Sequence, residues 1–191
     1  MANRIRENIT EQHHHQIQTY LAGDTKLYPN SKQNIKVATT ILFYCGIRIN
    51  EITQMTIADL KTIISKKELI IKIHKQKRER KLFFSNAAIK EIKKLFDYSN
   101  EENDSFIIRA KGQTDKAPHK ATFINSINKF IQKALNSDRY SSHSYRAGLI
   151  TQMAKSINIK FISQYIGHSD VKTSMRYIKA TDTDLRECII R

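Results

Sequence analysis

The sequence lacks the features that mark secreted, zinc-binding or membrane-spanning proteins. Its two cysteines, Cys45 and Cys188, are far apart and form no CxxC pair, so neither a disulfide framework nor a zinc site is predicted. No apolar run approaches the ~18 residues of a membrane helix, and residues 1–10 are too polar for a signal peptide. These absences predict a protein of the reducing cytoplasm with no membrane partner.

Acidic residues are also scarce relative to basic ones. The chain has 191 residues, and 33 Lys and Arg against 18 Asp and Glu give it a net charge of +15. Such an excess favours a polyanionic partner, of which nucleic acid is the commonest, over a merely lysine-rich soluble domain. The basic residues form no amphipathic membrane-surface helix, which makes an anionic membrane the weaker alternative. A hydrophobic content of 40% is enough to build a core.

Hydrophobic periodicity predicts a mostly α-helical chain with one small antiparallel β-sheet, an α+β fold. Residues 1–30 are polar and weakly periodic, so we expect an N-terminal arm with one short helix, on which the histidines at 13–15 are incidental. A catalytic domain is expected over 31–180, and a C-terminal helix over 181–191. The predicted helices run from Ser31 to Gly46, then over 49–55, 87–98, 121–135, from Ser142 or Ser144 to 155, 159–166, 170–179 and 182–190. Strands are expected over 68–74 and 81–85, with a third near 61–64, and an extended piece over 106–109.

The segment after Gly46 combines a helix start with a guanidinium. Arg48 follows the glycine turn directly, and Glu51 lies three residues later on the same helix face. Backbone N–H groups at a helix start and an arginine fork both bind anions, so the segment is a candidate phosphate site. Taken alone, an ordinary surface Arg–Glu pair is the favoured interpretation.

A basic run, residues 75–80, connects the two predicted strands. Such a hairpin tip is usually solvated surface, but it can also insert a lysine into a DNA groove. The sequence by itself leaves both interpretations open.

Two further motifs carry histidine, arginine and tyrosine at fixed spacings. His143 and Arg146 are three residues apart at a helix start, where they could bind one phosphate together and transfer a proton. His168 follows Gly167, and Tyr177 comes nine residues later, across one short helix. Each motif alone is weak, and an isolated Tyr177 is more typical of a core or boundary position.

In combination, the ordered motifs resemble the catalytic signature of the tyrosine recombinases of the phage-integrase type. Residues 46–52 resemble their G-[LIF]-R-x-x-E-[LI] stretch, 75–80 resemble their K-G-x-K-x-R hairpin, and 165–169 resemble their L-G-H-S box. The resemblance spans 31–179 and implies the catalytic-domain fold shared by tyrosine recombinases and type IB topoisomerases. The size is similar to that of the short fimbrial phase-switch invertases, or to the catalytic half of a longer integrase.

The resemblance implies phosphoryl transfer without a metal ion, nucleotide or other cofactor. Tyr177 would attack a DNA phosphodiester and form a 3′-phosphotyrosyl link. A tyrosine hydroxyl has an ordinary pKa of about 10, so His143 is the expected proton acceptor. Lys75 would protonate the departing 5′ oxygen.

The remaining implied roles concern the phosphate. Arg48 and Arg146 would clamp its non-bridging oxygens, His168 would donate a hydrogen bond to it, and Glu51 would orient the site. The implied catalytic residues are Arg48, Lys75, His143, Arg146, His168 and Tyr177. The expected contacts to the DNA backbone are Lys77, Arg78, Arg80, Lys111, Lys120 and Arg139.

Two features depart from the family pattern. Tyr145 and Ala147 stand where relatives usually have a leucine before Arg146 and a polar residue after it, which alters the packing around that arginine. Only 47 residues precede Arg48, whereas most relatives carry a whole N-terminal helical domain that closes around DNA.

The resemblance also implies partners. We expect double-stranded DNA as substrate, which places the protein at the nucleoid. We expect a homotetramer on two DNA sites and allow for a monomer without DNA. A DNA-bending accessory protein is an optional partner. The C-terminal helix would dock on a neighbouring protomer or pack on its own domain. The expected activity is site-specific recombination by integration, excision or inversion. Its alternatives are a DNA-relaxing topoisomerase of the same chemistry and a catalytically idle DNA-binding regulator.

Overall fold

The structure, a computed structural model, describes residues 7–73, 78–95, 97–98 and 100–177. This part of the chain is mostly helical with one two-stranded antiparallel sheet, which confirms the predicted fold class. Its elements are α1 (Glu11–Gly23), α2 (Pro29–Cys45), α3 (Ile49–Ile52), α4 (Ile57–Lys66), β1 (Glu68–Ile73), β2 (Arg78–Phe83), α5 (Asn86–Lys93), α6 (Lys120–Ala134), α7 (Ser142–Met153), α8 (Ile159–Ile166) and α9 (Val171–Met175). None of the helices in these ranges is long and apolar enough to cross a membrane.

Helix α2 forms the centre of the core and contacts α1, α3, α5 and α7. Nine of its residues are buried, three of them polar, so it is surrounded by the rest of the domain over most of its circumference rather than along one stripe. Cys45 at its end is fully buried, and burial raises the pKa of its thiol to about 12. This cysteine therefore acts as a small core residue and not as a reactive thiol.

Two glycines end helices as predicted. Gly46 follows α2 at φ +57°, and Gly167 follows α8 at φ +75°, both in the left-handed region that glycine favours. A Cβ atom on Gly46 would lie 2.7 Å from Cδ2 of Leu149, so a side chain there would also require Leu149 to shift. These two turns bring the ends of α2 and α8 close enough for one side chain, that of Arg146, to donate to the carbonyl oxygens of both Gly46 and Ile166.

The hairpin of β1 and β2 has one buried and one exposed face. Leu69 pairs with Leu82 and both are buried, whereas Ile70 and Phe83, each one position further along, are more than half exposed. Arg80 lies two residues before Leu82 and therefore shares its buried face. The register alone thus directs this arginine inward.

Several predicted boundaries were wrong. The strand expected near 61–64 lies inside α4, where Ile57, Leu60 and Ile63 recur every three residues and are fully buried. Helix α2 begins at Pro29, a residue well suited to the first helical position, and not at Ser31. The last described helix, α9, is shorter than predicted.

The N-terminal region also differs from the expected arm. Helix α1 packs on α2 and α6, and Ile17 and Leu21 are buried in the main core. His14 stacks on Phe43 with parallel rings whose centroids are 4.1 Å apart. The weak hydrophobic periodicity of α1 concealed this, because only two of its residues carry the burial. The predicted helix at 181–191 lies outside the described residues.

Candidate functional site

Arg48 lies where α2 ends and α3 begins, and Glu51 holds it from both sides. The Glu51 carboxylate accepts a 2.8 Å hydrogen bond from the Arg48 backbone N–H and a 3.1 Å bond from its Nη1. The Nη2 of Arg48 donates to the carbonyl oxygen of Gly167 at 3.0 Å. With its side chain 31% exposed, Arg48 is fixed in orientation yet open to solvent.

Arg80 holds the other oxygen of the same carboxylate. Its Nη2 donates to Glu51 Oε2 at 2.6 Å, and its Nη1 donates to the carbonyl oxygen of Tyr165 at 3.0 Å. Only 3% of the Arg80 side chain is exposed. The prediction that Arg80 contacts the DNA backbone was therefore wrong, because the sheet register buries it behind Arg48.

Arg146 joins the ends of α2 and α8. One terminal nitrogen donates to the Gly46 carbonyl at 2.9 Å, and the other donates to the Ile166 carbonyl. The residue is 4% exposed, and burial, followed by the nearby charges of Arg48 and Arg80, lowers its pKa to about 9. It remains charged at neutral pH, and the partial negative charge at the two helix ends compensates it in part.

His168 connects this arginine cluster to Tyr177. The two rings stack with centroids 6.2 Å apart and planes inclined by 21°. The Nδ1 atom of His168 lies 2.7 Å from Oγ of Ser174, which is fully buried in α9. The backbone N–H of Tyr177 in turn donates to the Ser174 carbonyl at 3.1 Å. The five-residue helix α9 thus lies between His168 and Tyr177, which are nine positions apart in the sequence.

The site is strongly electropositive. Burial and the positive charges of Arg146, Arg48 and Arg80 lower the pKa of His168 to about 4, so its imidazole is neutral at pH 7. Three guanidinium groups around the single carboxylate of Glu51 leave an excess of positive charge that an anion would neutralise.

Two predicted catalytic residues, His143 and Lys75, and two predicted DNA contacts, Lys77 and Arg78, remain to be considered. His143 lies in the first turn of α7 with an exposed side chain, one turn before the buried Arg146. Lys75 and Lys77 lie outside the described residues. Arg78 opens β2, and only its backbone is described. The roles expected of these four residues stay predictions.

Three of the expected DNA contacts are exposed at separate places. The Lys111 ammonium lies 5.2 Å from the centre of the Tyr28 ring, and Lys120 is the first residue of α6. Arg139 pairs with Glu7 at 3.3 Å. Their contact with DNA stays a prediction.

Sequence reasoning missed Ser174 and gave Arg80 the wrong environment. Ser174 lies three residues before Tyr177 within the helix predicted over 170–179, and this spacing is the signal that could have identified it. For Arg80, the alternation with Leu82 on β2 was the available signal.

Taken together, these contacts form an anion site with a phenol at its edge. Each terminal nitrogen of Arg48 and Arg146 has two N–H groups, and the hydrogen bonds described above occupy one at each. N–H groups therefore remain with which both arginines can bind an oxyanion. A phenol beside bound phosphate has the components of a nucleophilic displacement at phosphorus.

Comparison with known families and relatives agrees with this arrangement. The model of the phage integrase family matches residues 8–184. The chain is 26% identical over 167 residues to a tyrosine recombinase XerC of Caldanaerobacter subterraneus, covering 78% of this chain and 42% of that protein. It is 25% identical over 157 residues to a tyrosine recombinase XerA of Pyrococcus horikoshii, covering 81% and 53%. The chain thus spans about half the length of the curated relatives it matches.

Solved structures show the same fold. A crystal structure of XerA recombinase superimposes with a TM-score of 0.73 at 18% identity, covering 96% of this chain and 64% of that one. The Tn1549 transposon integrase in complex with circular intermediate DNA gives a TM-score of 0.68 at 17% identity, covering 99% and 67%. With a family model that matches nearly its whole length and this shared fold, the chain belongs to the phage integrase family.

Proposed function

We propose that this chain carries the catalytic domain of a site-specific DNA recombinase that breaks and rejoins strands through a 3′-phosphotyrosyl intermediate. The observation that carries the proposal is the convergence of Arg48, Arg146 and His168 on one electropositive site beside the Tyr177 ring. Family membership supports it, because the relatives are tyrosine recombinases by name.

In the proposed reaction, the Tyr177 oxygen attacks phosphorus and the 5′ oxygen leaves. Arg48 and Arg146 bind the two non-bridging oxygens with their remaining N–H groups, and His168 donates to one of them as a neutral imidazole. His143 accepts the phenolic proton, and Lys75 delivers a proton to the departing 5′ oxygen. One phosphate ester replaces another, so the step is reversible by an incoming 5′-hydroxyl and needs neither metal nor nucleotide.

Glu51 is assigned to support and not to chemistry. Its two oxygens are occupied by Arg48 and Arg80, at 3.1 and 2.6 Å from their guanidinium nitrogens. A carboxylate bound in this way fixes the direction of Arg48 and is unsuited to accept a further proton. It thereby keeps one side of the phosphate site in place.

The proposed substrate is double-stranded DNA, bound by four copies of the chain on two sites. An apolar groove of about 410 Å³ supports the assembly, because three large side chains on its wall, Phe83, Ile157 and Phe161, are 43–64% exposed. The C-terminal residues, with Leu185, Ile189 and Ile190, offer apolar side chains to such a groove on a neighbour. Light scattering with and without DNA, on the natural protein and on Phe161→Asp, tests this assembly.

The test of the chemistry uses a library of nicked duplexes with randomised cores, in which cleavage near the nick releases a short strand and traps the covalent adduct. We expect protein–DNA adducts that survive denaturant and carry the DNA by a 3′ phosphate, and none with Tyr177→Phe. An adduct that persists in Tyr177→Phe would show that another residue is the nucleophile. A supercoiled plasmid with two copies of the recovered site then separates recombination from simple relaxation.

A further inference from the structure

A short N-terminal segment, residues 7–10, lies flat on the helix that carries Arg146; we call it the N-terminal strap. The backbone N–H of Ile9 donates to the Ser144 carbonyl at 3.0 Å, and Ile9 is 4% exposed. Where the strap crosses Gly148, a Cβ atom would lie 2.2 Å from the carbonyl oxygen of Ile9. The lack of a side chain at Gly148 therefore permits this close approach.

The strap reaches the next polar residue on the same stripe of α7, which is Thr151. Ser144, Gly148 and Thr151 are spaced four and three residues apart and so face the same side of the helix. The Asn8 side-chain amide donates to the Thr151 hydroxyl oxygen at 2.8 Å. Both Asn8 and Thr151 are half-buried, so the hydrogen bond between them is not freely exchanged for bonds to water.

Thr151 passes the contact on to the nucleophile candidate. Its hydroxyl lies 2.9 Å from the carbonyl oxygen of Tyr177 and 3.0 Å from that of Ala147, one turn earlier in α7. The contact to Ala147 is the usual bond of a helical threonine to the preceding turn, and the contact to Tyr177 is additional. Because a hydroxyl has one hydrogen and two lone pairs, it can accept from Asn8 and share its hydrogen between the two carbonyls.

These contacts matter because Tyr177 lies beyond the end of α9, whose last residue is Met175. The described contacts of its main chain are the N–H bond to Ser174 and the carbonyl bond from Thr151. Thr151 lies five residues after Arg146 on one rigid helix. The hydroxyl of Thr151 therefore fixes the tyrosine main chain relative to the buried arginine.

We propose that Asn8 and Thr151 are positioning residues for the nucleophile. The N-terminal strap holds Thr151, and Thr151 holds the main chain of Tyr177 against α7. A displacement of residues 7–10 then reaches Tyr177 through two hydrogen bonds, so the strap is a route by which N-terminal movements regulate strand cleavage. This inference rests on the proposed role of Tyr177 as nucleophile.

The variants separate the hydroxyl from its shape. Thr151→Val removes the hydroxyl at nearly constant volume, Thr151→Ser keeps it, and Asn8→Ala removes the donor from the strap. Gln18→Ala is the matched control, because the Gln18 amide donates to the hydroxyl of Thr39 at the same 2.8 Å, away from the site. All are compared on a nicked duplex recovered with the natural protein, under single-turnover conditions.

We expect Thr151→Val to lower the maximal rate of adduct formation about tenfold and Asn8→Ala about threefold, the range that loss of one hydrogen bond supports. The DNA concentration at half-maximal rate stays unchanged, because no residue facing DNA is altered. Thr151→Ser restores most of the rate, and Gln18→Ala leaves it unchanged. A Thr151→Val protein that forms adduct at the natural rate overturns the proposal.

A second measurement needs no DNA and so distinguishes failure of this inference from failure of the proposed function. With 3-fluorotyrosine at position 177, we expect Thr151→Val and Asn8→Ala to shift or broaden the fluorine resonance, and Gln18→Ala to leave it in place. If the natural protein forms no adduct, the proposed chemistry falls while this arm still tests the positioning. If adduct forms and the resonance ignores Thr151→Val, only the positioning is refuted.

Discussion

Two basic regions of the molecule carry the same sign of charge in opposite environments. One is the buried cluster around Arg146, and the other is the outer surface with the exposed residues Arg139 and Lys120. Arg146 is 4% exposed and donates to carbonyl oxygens at the ends of two helices, whereas 66% of the Arg139 side chain and 48% of that of its partner Glu7 are exposed. A charge held in low dielectric by fixed dipoles acts strongly and over a defined geometry. An exposed charge is screened by salt and contributes little individually. The two regions should therefore respond very differently to substitution.

The largest effect is expected from Arg146. Arg146→Ala should lower the adduct rate about 10²–10³-fold, the range found when one preorganised donor to a transition-state oxygen is lost. Arg146→Lys should also lower the adduct rate, because a lysine ammonium cannot replace the two terminal nitrogens that donate to the Gly46 and Ile166 carbonyls. Single-turnover assays measure the rate, and thermal melting shows whether each variant is folded.

Arg48→Ala serves as the companion variant, since Arg48 is more exposed and its loss should leave the fold intact. A natural rate of cleavage in folded Arg146→Ala would refute the phosphate-binding role.

Arg80 tests whether the arginine cluster around Arg146 depends on an ion pair that is shielded from solvent. Arg80→Met leaves Glu51 half-buried beside Arg48 alone, and removal of one member of a buried ion pair should cost about 3 kcal/mol of folding free energy. The double variant Arg80→Met/Glu51→Gln should recover part of that loss, because no uncompensated carboxylate remains. Chemical denaturation of the natural protein, both single variants and the double variant gives the coupling energy. Strictly additive losses would mean that the pair contributes nothing as a pair.

These two arginines also show how far sequence reasoning could go. The ordered motifs brought Arg48, Arg146, His168 and Tyr177 into one hypothesis, and the two glycine caps located the turns that Arg48 and His168 follow. The alternation on β2 places Arg80 on the same face as Leu82, but it does not by itself say which face is buried, because that depends on which face of β2 packs on α8. Likewise, the contact of Asn8 with Thr151 arises from packing between segments distant in sequence, for which periodicity carries no signal.

Ser174 offers a test of the site that changes no charge, because its hydroxyl contacts His168 beside the arginine cluster. Its hydroxyl lies 2.7 Å from Nδ1 of His168, and a hydrogen bond donated there would keep the proton of the neutral ring on Nε2. Ser174→Ala should lower the adduct rate about tenfold and alter the ring-nitrogen chemical shifts, whereas Ser174→Thr should preserve both. Unaltered nitrogen shifts in Ser174→Ala would show that the serine does not set the tautomer.

His14 and His15 repeat the contrast between buried and exposed groups in neighbouring residues. Burial, together with the charge of His15, lowers the pKa of His14 to about 4, below its ordinary value of 6.5. The unfolded chain binds a proton as the pH falls through 6.5, and the folded chain does so only near 4. Stability is thus complete above pH 6.5 and decreases toward pH 4.

His14→Gln should reduce this loss by about 1 kcal/mol between pH 7 and 5, after allowance for solvent screening. The exposed His15→Gln provides the comparison and should change the slope less, because it removes only the smaller of the two causes that lower the pKa of His14. Denaturation curves at several pH values measure both; equal slopes in His14→Gln and the natural protein would contradict the burial argument.

The smallest effect is expected on the outer surface, at Lys120. This lysine is the first residue of α6, where its positive charge opposes the helix dipole, yet both the ammonium and the free N–H groups there favour an anion. Lys120→Ala should therefore leave folding stability unchanged or slightly raised while it weakens DNA binding a few-fold on every sequence. The slope of log affinity against log salt should decrease by about one. Ser174→Ala, which changes no charge, should keep the natural slope. If Lys120→Ala leaves the slope intact as well, this end of α6 does not face DNA.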